Sequence, residues 1–587
     1  MTPEIQIPGC FKTGVVVDAE FIPLVQTVCI SWEELRSGQT GQLCYDQLGG
    51  EPPYPVGPDS LFIAFNAQAD LGVHLKLGWP LPCRVLDLYF EFRLRTNGIW
   101  PPKHHRRLLE AVTFYGLPGI DAVEKKEMQD LVLRGPPWSH EERNAILEYC
   151  ASDVKAERQL FFAMAPSIDL PRALLRGRYA AALARTEVVG TPLDEDLVER
   201  VNCHQDSLLD GMIAEVDKGS GIFEGRTFKY DGFDRWRIKE GIDEWPLTES
   251  GQLDVRDETL KDMSESYPQL KPIRHVRQSL AAMRLYPHGI SKDGRSRPFL
   301  NPFGSSTGRN QPRSNEYVWS MSKWRRGLVK PREGDGLGIL DFSSEEIGVA
   351  AGVSDDGNLK KSYRSGDAYF WFAREAELIP PDMTLETFKP LRPLYKMAFL
   401  AINYGISPES LGLRINRSTI FAQHLIERHH DLFADYWKWS NRAVDHAMLF
   451  GWQSSIFGWV HRLGPEPRPT ALRNFPIQSA GAEILRLAHC LLTENNVRVC
   501  APNHDSFVIE ARLEDLDQEI EGARFLMIRA SEVVLRGFGL FVDVKAIRYP
   551  DRYSCSEGKP MWDLVMRLLE EIESETPADN ATTSVLV

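Results

Sequence analysis

The sequence predicts a multidomain chain that combines α/β with α+β architecture. Its 587 residues correspond to about four domains at roughly 150 residues each. Strand-like and helix-like patterns alternate over residues 1–170, residues 171–300 are mainly helical and charged, and residues 301–560 mix strand, helix and hairpin patterns. The composition, 43% hydrophobic and 26% charged, is typical of a globular chain. It excludes collagen-like, wholly disordered and disulfide-scaffold classes.

The charge is distributed unevenly along the chain. The net charge of −14 excludes a uniformly basic protein that coats nucleic acid, but a local basic groove is compatible with it. Residues 301–330 contain six Lys and Arg against the single acid Glu316, which indicates either an anionic partner or a solvated basic loop. Within residues 561–587, the stretch from Glu570 onward contains five acids and no Lys or Arg. We expect a solvated acidic tail there.

The cysteines and the N-terminus indicate a cytoplasmic protein without a membrane span. The nine cysteines are scattered, odd in number and lack a CxxC pair, which favours reduced thiols. The N-terminus lacks the basic and apolar regions of a signal peptide. No window of 18 apolar residues is present, so no span is expected.

Four carboxylates and a tyrosine lie at ordered positions in the N-terminal region. Asp18 and Glu20 stand two apart at the end of a β-branched run, so both face one side of a strand. Asp70 follows a second apolar run. Tyr149 and Asp153 are four apart on a predicted helix over residues 143–163 and share one of its faces.

Carboxylates that converge in this way require counter-ions. Two such charges about 4 Å apart repel by about 4 kcal/mol at an effective dielectric constant near 20. Oxygen-rich sites suit Mg²⁺ or Mn²⁺, and a pair of such ions can activate a water and stabilise a leaving oxygen.

The ordered set DxE, NxxxD and YxxxD resembles the DEDDy family of 3′→5′ exonucleases, whose fold is similar to ribonuclease H. The resemblance covers about residues 10–165. It implies that Asp18, Glu20, Asp70 and Asp153 hold the metals and that Tyr149 orients the attacking water.

A second pair of acids lies far apart in the C-terminal block. Asp341 ends a strand-like run that precedes a helix, and Asp505 lies at the predicted turn of a hairpin over residues 497–510. The two are separated by 164 positions, so only the fold can bring them together. If they meet, they form another carboxylate metal site.

A cationic helix is predicted between these two acids. Arg392, Lys396, Leu400 and Tyr404 follow one another at intervals of four and therefore wind slowly along one face. Arg and Lys one turn apart can grip a polyphosphate, although the same spacing is also typical of a solvated helix face. Pro393 places the helix start close to Arg392.

Together these segments resemble the family A DNA polymerases, of which bacterial DNA polymerase I is the type member. The matching segments are 341–346, 392–405 and 504–506, with 307–309 and 474–478 in the family's order. The resemblance implies a ribonuclease H-like exonuclease domain (1–170) and a right-hand polymerase. The polymerase comprises thumb and first part of the palm (171–300) and palm and fingers (301–560). It also implies Mg²⁺ or Mn²⁺ as cofactor and primer–template DNA and dNTPs as partners.

The resemblance assigns roles to individual residues. Asp341 and Asp505 would bind two metals with the carbonyl of Phe342, and these acids with Lys396 and Tyr149 would be the catalytic residues. The nucleotide would contact the following residues: Arg392 and Lys396 at the triphosphate, Glu346 at the 2′ position, Tyr404 beside the templating pair, and Leu400 and Tyr369. The DNA would contact Thr307, Arg309, Arg325, Asn474, Gln478 and His504.

Three positions depart from the family pattern. Ser506 stands where a Glu often follows the aspartate that Asp505 matches, Tyr369 stands where a His is common, and Leu400 replaces a common aromatic. These variant forms, and the lack of a 5′-nuclease domain, are similar to bacteriophage replicative members. For such a protein a helicase or a single-strand binding protein is a possible partner, and we expect a monomer.

Other readings stay open at this point. One is a 3′→5′ exonuclease whose C-terminal part only grips nucleic acid. Another is a single-subunit RNA polymerase, which fits Asp341, Lys396 and Asp505 but not Glu346. A third is a non-catalytic accessory subunit, which predicts eroded acids. The adjacent pair His429 and His430 is interpreted as a polar helix surface and not as a metal site.

Overall fold

The computed structural model describes residues 10–22, 26–99, 107–118, 122–248, 250–283, 290–291, 293–313 and 316–575. Within these ranges, no helix has both the length and the apolar character that crossing a membrane requires. All nine cysteines have free thiols, of which four are buried and three are exposed.

The N-terminal region is a mixed sheet covered by helices. Its elements are β1 (Thr13–Ile22), β2 (Gln26–Glu34), β3 (Thr40–Cys44), β4 (Ser60–Ala64), β5 (Val85–Asp87), α1 (Ala67–Leu77), α2 (Leu88–Thr96), α3 (Leu108–Phe114), α4 (Ala122–Arg134) and α5 (His140–Met164). The strand order is β3-β2-β1-β4-β5, with β2 antiparallel and β4 parallel to the central β1. The β-branched run that ends at Asp18 and Glu20, the apolar run before Asp70 and the helix predicted over 143–163 correspond to β1, β4 and α5.

Burial explains why β1 is central. Val15, Val16 and Val17 are all inaccessible to solvent, so both faces of this β-branched strand are covered, as its continuous apolar run predicts. The helix α5 packs across β1 and β2. Acids that follow the valines therefore lie at the end of the most protected strand.

The middle region is mainly helical, as the sequence predicts. Its elements are α6 (Leu170–Val189), α7 (Glu195–Cys203), α8 (Gln205–Asp217), α9 (Tyr230–Lys239), α10 (Asp257–Ser266), α11 (Leu270–Met283), β6 (Thr191–Pro192), β7 (Phe223–Glu224), β8 (Thr227–Phe228) and β9 (Arg295–Ser296). Of these, α6 connects the N-terminal and C-terminal regions. Its Arg176 forms a buried ion pair with Glu91 at 2.6 Å, and its Thr186 hydroxyl lies 2.7 Å from the His489 ring.

The C-terminal region contains a four-stranded sheet and a long series of helices. Its elements are β10 (Asp335–Phe342), β11 (Trp452–Ser454), β12 (Val460–Arg462), β13 (Arg498–Asn503), β14 (Ser506–Arg512), β15 (Val542–Arg548), α12 (Glu345–Ser354), α13 (Gly357–Arg364), α14 (Ala368–Glu375), α15 (Leu385–Phe388), α16 (Arg392–Asn403), α17 (Pro408–Ile415), α18 (Thr419–Leu432), α19 (Ala434–Phe450), α20 (Pro469–Glu494), α21 (Leu516–Val534) and α22 (Lys559–Glu575). The sheet order is β13-β14-β10-β15. The predicted strand before Asp341, the hairpin around Asp505 and the helix that begins at Arg392 are all present.

The acidic C-terminal segment differs from its prediction. The chain is helical through Glu575, and Met561, Val565 and Leu569 are buried in the core shared with α8. Glu573 pairs with Arg200 at 2.7 Å. The segment predicted as a solvated tail from position 561 is thus a packed helix up to 575, because its apolar residues recur at intervals of four. Residues 576–587 lie outside the described part of the chain.

Candidate active sites: two carboxylate centres

The strand β1 places the first two acids of the N-terminal centre. Asp18 pairs with Ser31 of β2 in antiparallel register, and Glu20 follows on the same face of the strand. The Cys150 thiol of α5 donates to the Asp18 carboxylate at 3.3 Å. Both acids are partly buried, so they lie at the edge of the core and not on an open surface.

Asp70 is placed by the start of α1. The residue before this helix, Asn66, has a φ of 72°, and its N–H and that of Ala67 donate to the buried carboxylate of Asp87 at 3.2 and 3.0 Å. Asp70 lies one turn further on, is 5% exposed, and is near enough to Asp18 that its pKa is raised by burial and then by the Asp18 charge. The role of Asp87 at the start of α1 could not be predicted from the sequence. An Asp just before a helix indicates an N-cap of that helix, here α2, and gives no sign that it also binds a neighbouring helix.

The helix α5 completes the centre. Carboxylate oxygens of Asp18, Glu20 and Asp153 all lie within 4.8 Å of one another, and Tyr149 lies one turn before Asp153 on the same face. The Lys125 ammonium of α4 donates to Asp153 at 2.7 and 3.0 Å and lies 5.5 Å from the centre of the Tyr149 ring. No sequence pattern singles out Lys125, because it belongs to an ordinary charged helix.

Burial and mutual repulsion dominate the electrostatics of this centre. Burial, and then the charge of Asp153, raise the pKa of Asp18 to about 7. Burial also raises the pKa of Glu20, Asp70 and Asp153, with Lys125 opposing the shift of Asp153. If these acids were all ionised without cations, their mutual repulsion would destabilise the centre. Their hard oxygen donors fit Mg²⁺ or Mn²⁺.

The sheet of the C-terminal region unites the second pair of acids. Asp341 lies at the end of β10, and the N–H of the next residue, Phe342, donates to the carbonyl of Asp505 at 3.0 Å. Burial, and then the nearby charge of Asp505, raise the pKa of Asp341 to about 7. Asp341 is nevertheless exposed and Asp505 half-buried. The two acids therefore form an open carboxylate centre whose donors also suit divalent metals.

A third acid, Asp543, belongs to this neighbourhood. On β14, Asp341 faces Ser506, and on β15 it faces Asp543. Directly opposed residues of adjacent strands project on one face with Cβ atoms about 4.5–5.5 Å apart. The position of Asp543 depends on strand register, which the sequence alone does not reveal.

Three residues beside this centre form a hydrogen-bonded group. The Gln478 side-chain amide of α20 donates to Glu346 of α12 at 2.5 Å and lies 3.4 Å from the Tyr404 hydroxyl at the end of α16. Residues predicted to act on the sugar, the templating pair and the duplex thus meet at one place. Asn474, one turn before Gln478, is half-buried.

The helix α16 presents the cations as predicted. Arg392 pairs with Asp367 at 2.6 Å, and its side chain stays 40% exposed. Lys396 is exposed, and Leu400 is half-buried and packs against the core of this region. The helix therefore offers two positive charges and one apolar side chain along the same face.

A buried acid anchors the turn at residues 307–309. The Arg309 guanidinium donates to Glu345 at 3.2 Å, and Glu345 is 4% exposed. The Gly308 carbonyl accepts a hydrogen bond from Arg486 at 2.5 Å. Sequence analysis missed Glu345, because an acid at a buried helix position gives no pattern by itself. His504 is exposed at the turn that carries Asp505.

The sequence of this chain matches the sequence model of a known protein family. The model of DNA polymerase family A matches residues 242–546, more than half of the chain, and these residues include both palm aspartates. The chain belongs to DNA polymerase family A. The match begins upstream of the predicted boundary at residue 301.

Relatives of this polymerase include bacterial DNA polymerases I. The protein of Aquifex aeolicus is 23% identical over 438 residues, 67% of this chain and 73% of that protein. The thermostable enzyme of Thermus aquaticus is 24% identical over 57% of this chain and only 43% of its own length.

A solved structure has the same fold. It is described as the POL domain of Pol1 from M. smegmatis in complex with DNA primer-template and dNTP. Its TM-score is 0.68 at 18% identity, and the match covers 91% of this chain and 95% of the other. The unmatched 9% is much shorter than the N-terminal 170 residues, so the likeness in fold extends into that region.

Two predicted contact residues of the polymerase lie in its interior. Tyr369 is 3% exposed, its ring packs edge-on against Phe399, and the Arg392 guanidinium lies 5.0 Å above it. Arg325 is 4% exposed within a short 3₁₀ turn. Both side chains are thus buried, because their exposure depends on packing that the sequence pattern does not give. The contacts of Tyr369 with nucleotide and of Arg325 with DNA stay predictions.

The histidine pair also differs from its prediction. His429 is fully buried and accepts a hydrogen bond from the Trp437 indole at 3.1 Å. His430 stacks on the same indole, with ring centres 3.7 Å apart. The predicted polar surface at His429 is wrong, although adjacent residues do point in different directions as expected.

Proposed function

We propose that this chain is a DNA-templated DNA polymerase that adds dNTPs to a primer 3′ end by two-metal phosphoryl transfer, with a 3′→5′ proofreading exonuclease. The observation that carries the proposal is the meeting of Asp341 with Asp505, made by the Phe342 N–H bond to the Asp505 carbonyl at 3.0 Å. These residues are far apart in sequence, and only a palm-like sheet brings them together.

In the polymerase reaction, Asp341 and Asp505 would hold Mg²⁺ or Mn²⁺, with the Phe342 carbonyl assisting. The chemistry such ions supply when bound is charge stabilisation of the attacking and leaving oxygens. Arg392 and Lys396 would hold the triphosphate through charge-assisted hydrogen bonds. With both in place, the α-phosphate would lie between the primer end and the leaving pyrophosphate.

Selection of the sugar would depend on the Glu346 group. The hydrogen bond from Gln478 fixes the Glu346 carboxylate, which would exclude a 2′-hydroxyl by close approach. Tyr404 would pack beside the templating base pair, and Leu400 would contact the incoming sugar through its apolar side chain.

The primer and template would contact the polar residues around this centre. Arg309, held by Glu345, and Gln478 would donate hydrogen bonds to the minor-groove edge, whose acceptors are similar for each correct pair. Thr307 and Asn474 would support the duplex, and His504 would contact the primer terminus.

The exonuclease assignment rests on the N-terminal centre. Asp18, Glu20 and Asp153 have donor atoms within 4.8 Å of one another, and the charge of Asp18 acts on Asp70. Tyr149 shares a face of α5 with Asp153 and would orient a water. The mixed sheet with its central β1 fits the ribonuclease H-like unit that the sequence resemblance implies.

The biological setting is a further part of the proposal. Leu400 at the position of a common aromatic supports a replicative role of the bacteriophage type, in the cytoplasm of a host cell. The partners would then be primer–template DNA and dNTPs, with a helicase or single-strand binding protein at the fork. The chain would act as a monomer.

Primer extension on a primed template tests the main activity. Extension with dNTPs but not NTPs in Mg²⁺, abolished by EDTA, is the expected result. Extension with NTPs alone would identify an RNA polymerase. Degradation without any extension would leave only a nuclease with a C-terminal part that grips nucleic acid.

A further inference from the structure

A fifth acid, Glu157, lies next to the N-terminal centre and has no role in the assignments above. It follows Asp153 by one turn on α5, so the two project from the same helix face. Glu157 is 1% exposed. Asp18, Asp70 and Asp153 are near enough to act on its charge. Glu157 therefore extends the acid cluster inward, on the side where Asp70 lies.

The Glu157 carboxylate lacks a full set of protein partners. The backbone of Phe65, the residue after β4, acts on the carboxylate and lowers its pKa, against the larger raising effect of burial. The Oε2 atom is buried and has no hydrogen-bond partner among the described residues. A protonated Oε2 would need an acceptor and an ionised one a donor or a cation, so neither state is satisfied by the protein.

The charges around the centre point to a cation as the missing partner. Asp18, Glu20, Asp70, Asp153 and Glu157 together carry five negative charges when ionised. Among the described residues, Lys125 alone forms an ion pair with any of them. The positive charge of two divalent cations and Lys125 equals the negative charge of the five carboxylates. With only four carboxylates, the same cations and Lys125 would leave one excess positive charge.

We propose that Glu157 is a fifth carboxylate of the N-terminal metal centre and that its Oε2, through one water, supports a divalent cation held by Asp18 and Asp70. This inference rests on the proposed exonuclease function. The cation belongs to the class of Mg²⁺ and Mn²⁺, because every donor is a hard oxygen. The cation near Glu157 would bind more tightly than it would with the other four carboxylates alone.

The test measures metal binding and not only activity. The full-length chain carrying Asp341→Asn and Asp505→Asn provides the background, so that Mn²⁺ titration followed by electron paramagnetic resonance reports the N-terminal centre. Adding Glu157→Gln, which keeps size and polarity, should weaken the tighter Mn²⁺ by about 10–100-fold, the usual effect of losing a supporting group at a metal site. In EDTA the same variant should melt at or above the temperature of its background, because repulsion is removed.

The matched control is Glu187→Gln on α6. Glu187 is half-buried and accepts from the Gln68 amide at 2.7 Å, so the change alters a partly buried carboxylate outside the metal centre. Its Mn²⁺ affinity should equal that of the background. Should Glu157→Gln melt well below the background in EDTA, Glu157→Asp, which keeps the charge, must recover part of the lost affinity.

The outcomes separate this inference from the function beneath it. Unchanged Mn²⁺ affinity in Glu157→Gln, together with lost affinity in Asp18→Asn, overturns the role of Glu157 and leaves the metal centre intact. Unchanged affinity in both variants overturns the N-terminal metal centre itself. A lower melting temperature with unchanged Mn²⁺ affinity in both Glu157 variants would assign Glu157 to packing alone.

Discussion

The two carboxylate centres use the same side chains in opposite surroundings. In the N-terminal centre, Asp70 and Asp153 are 5% and 4% exposed, and the acids come from a central strand and two helices packed on it. In the palm, Asp341 is exposed and Asp505 lies on a turn. The first centre is enclosed by protein, and the second is open along one side of a sheet.

The difference matches what each proposed reaction must admit. An exonuclease binds one frayed strand end, so its acids can be closely surrounded. A polymerase must admit a duplex and a nucleotide together, which requires an open face. The cations differ accordingly. Among the described residues, Lys125 alone forms an ion pair with the acids of the N-terminal centre, whereas α16 presents both Arg392, 40% exposed, and the exposed Lys396.

The largest expected effect separates the two centres. Asp341→Asn should lower primer extension by about 1,000-fold or more, since losing about 4 kcal/mol of transition-state stabilisation costs that factor. The rate of 3′-end degradation should stay within about twofold of the parent, measured on the same labelled primer. Extension at the parent rate would contradict the palm assignment.

The reverse variant tests the enclosed centre. Asp70→Ala should lower degradation of a mismatched primer by about 100-fold or more, because a metal-supporting carboxylate is lost. Correct extension should be unchanged and the error rate should rise. The control is Glu142→Gln in the first turn of α5, a half-buried carboxylate that pairs with Arg134 away from the centre. If Asp70→Ala degrades mismatched primers as fast as the parent, the nuclease lies elsewhere in the chain.

Sugar selection should belong to the palm alone. Glu346→Ala removes the carboxylate that Gln478 holds, and ribonucleotide insertion should rise by about 10-fold, equivalent to one relieved contact of about 1–3 kcal/mol. The ratio of kcat/KM for dNTP and rNTP measures the effect. Exonuclease rates serve as the internal control, and an unchanged ratio would remove Glu346 from this role.

The smallest effect concerns pH in the absence of metal. The raised pKa of Asp18, about 7 against an ordinary value of 3.8, means that the folded chain holds a proton that the unfolded chain releases. This contribution to stability is complete below about pH 4 and is lost as pH rises through about 7. The melting temperature in EDTA should therefore fall by roughly 2–4 °C per kcal/mol lost.

The pH series also distinguishes the centres. Asp18→Asn should flatten the fall in melting temperature between pH 5 and 8 more than Asp341→Asn does, because Asp341 is exposed and solvent screens its charge. Saturating Mg²⁺ should restore more stability at pH 8 than at pH 5, since metal binding requires ionised acids. Equal slopes in both variants would show that the two centres are equally buried.

Local patterns predicted much of the molecule. The β-branched run before Asp18, the helical spacing of Tyr149 and Asp153, and the apolar strand before Asp341 each specify an element through interactions between near neighbours in the chain. The family resemblance added the order of the segments, and the family is confirmed. The acidic segment after residue 561 was predicted less well, because its apolar face has meaning only against α8.

The sequence by itself determined which residues carry acid, cation and aromatic chemistry, and at which spacing along each strand or helix. Tertiary structure alone decided that Asp543 faces Asp341, that Glu345 holds Arg309, that Lys125 reaches Asp153, and that Glu157 lies buried beside Asp70. It also decided that Tyr369 and Arg325 are interior. The reason is physical: periodicity is set by backbone geometry within one element, whereas register, burial and charge pairing arise only when distant elements pack together.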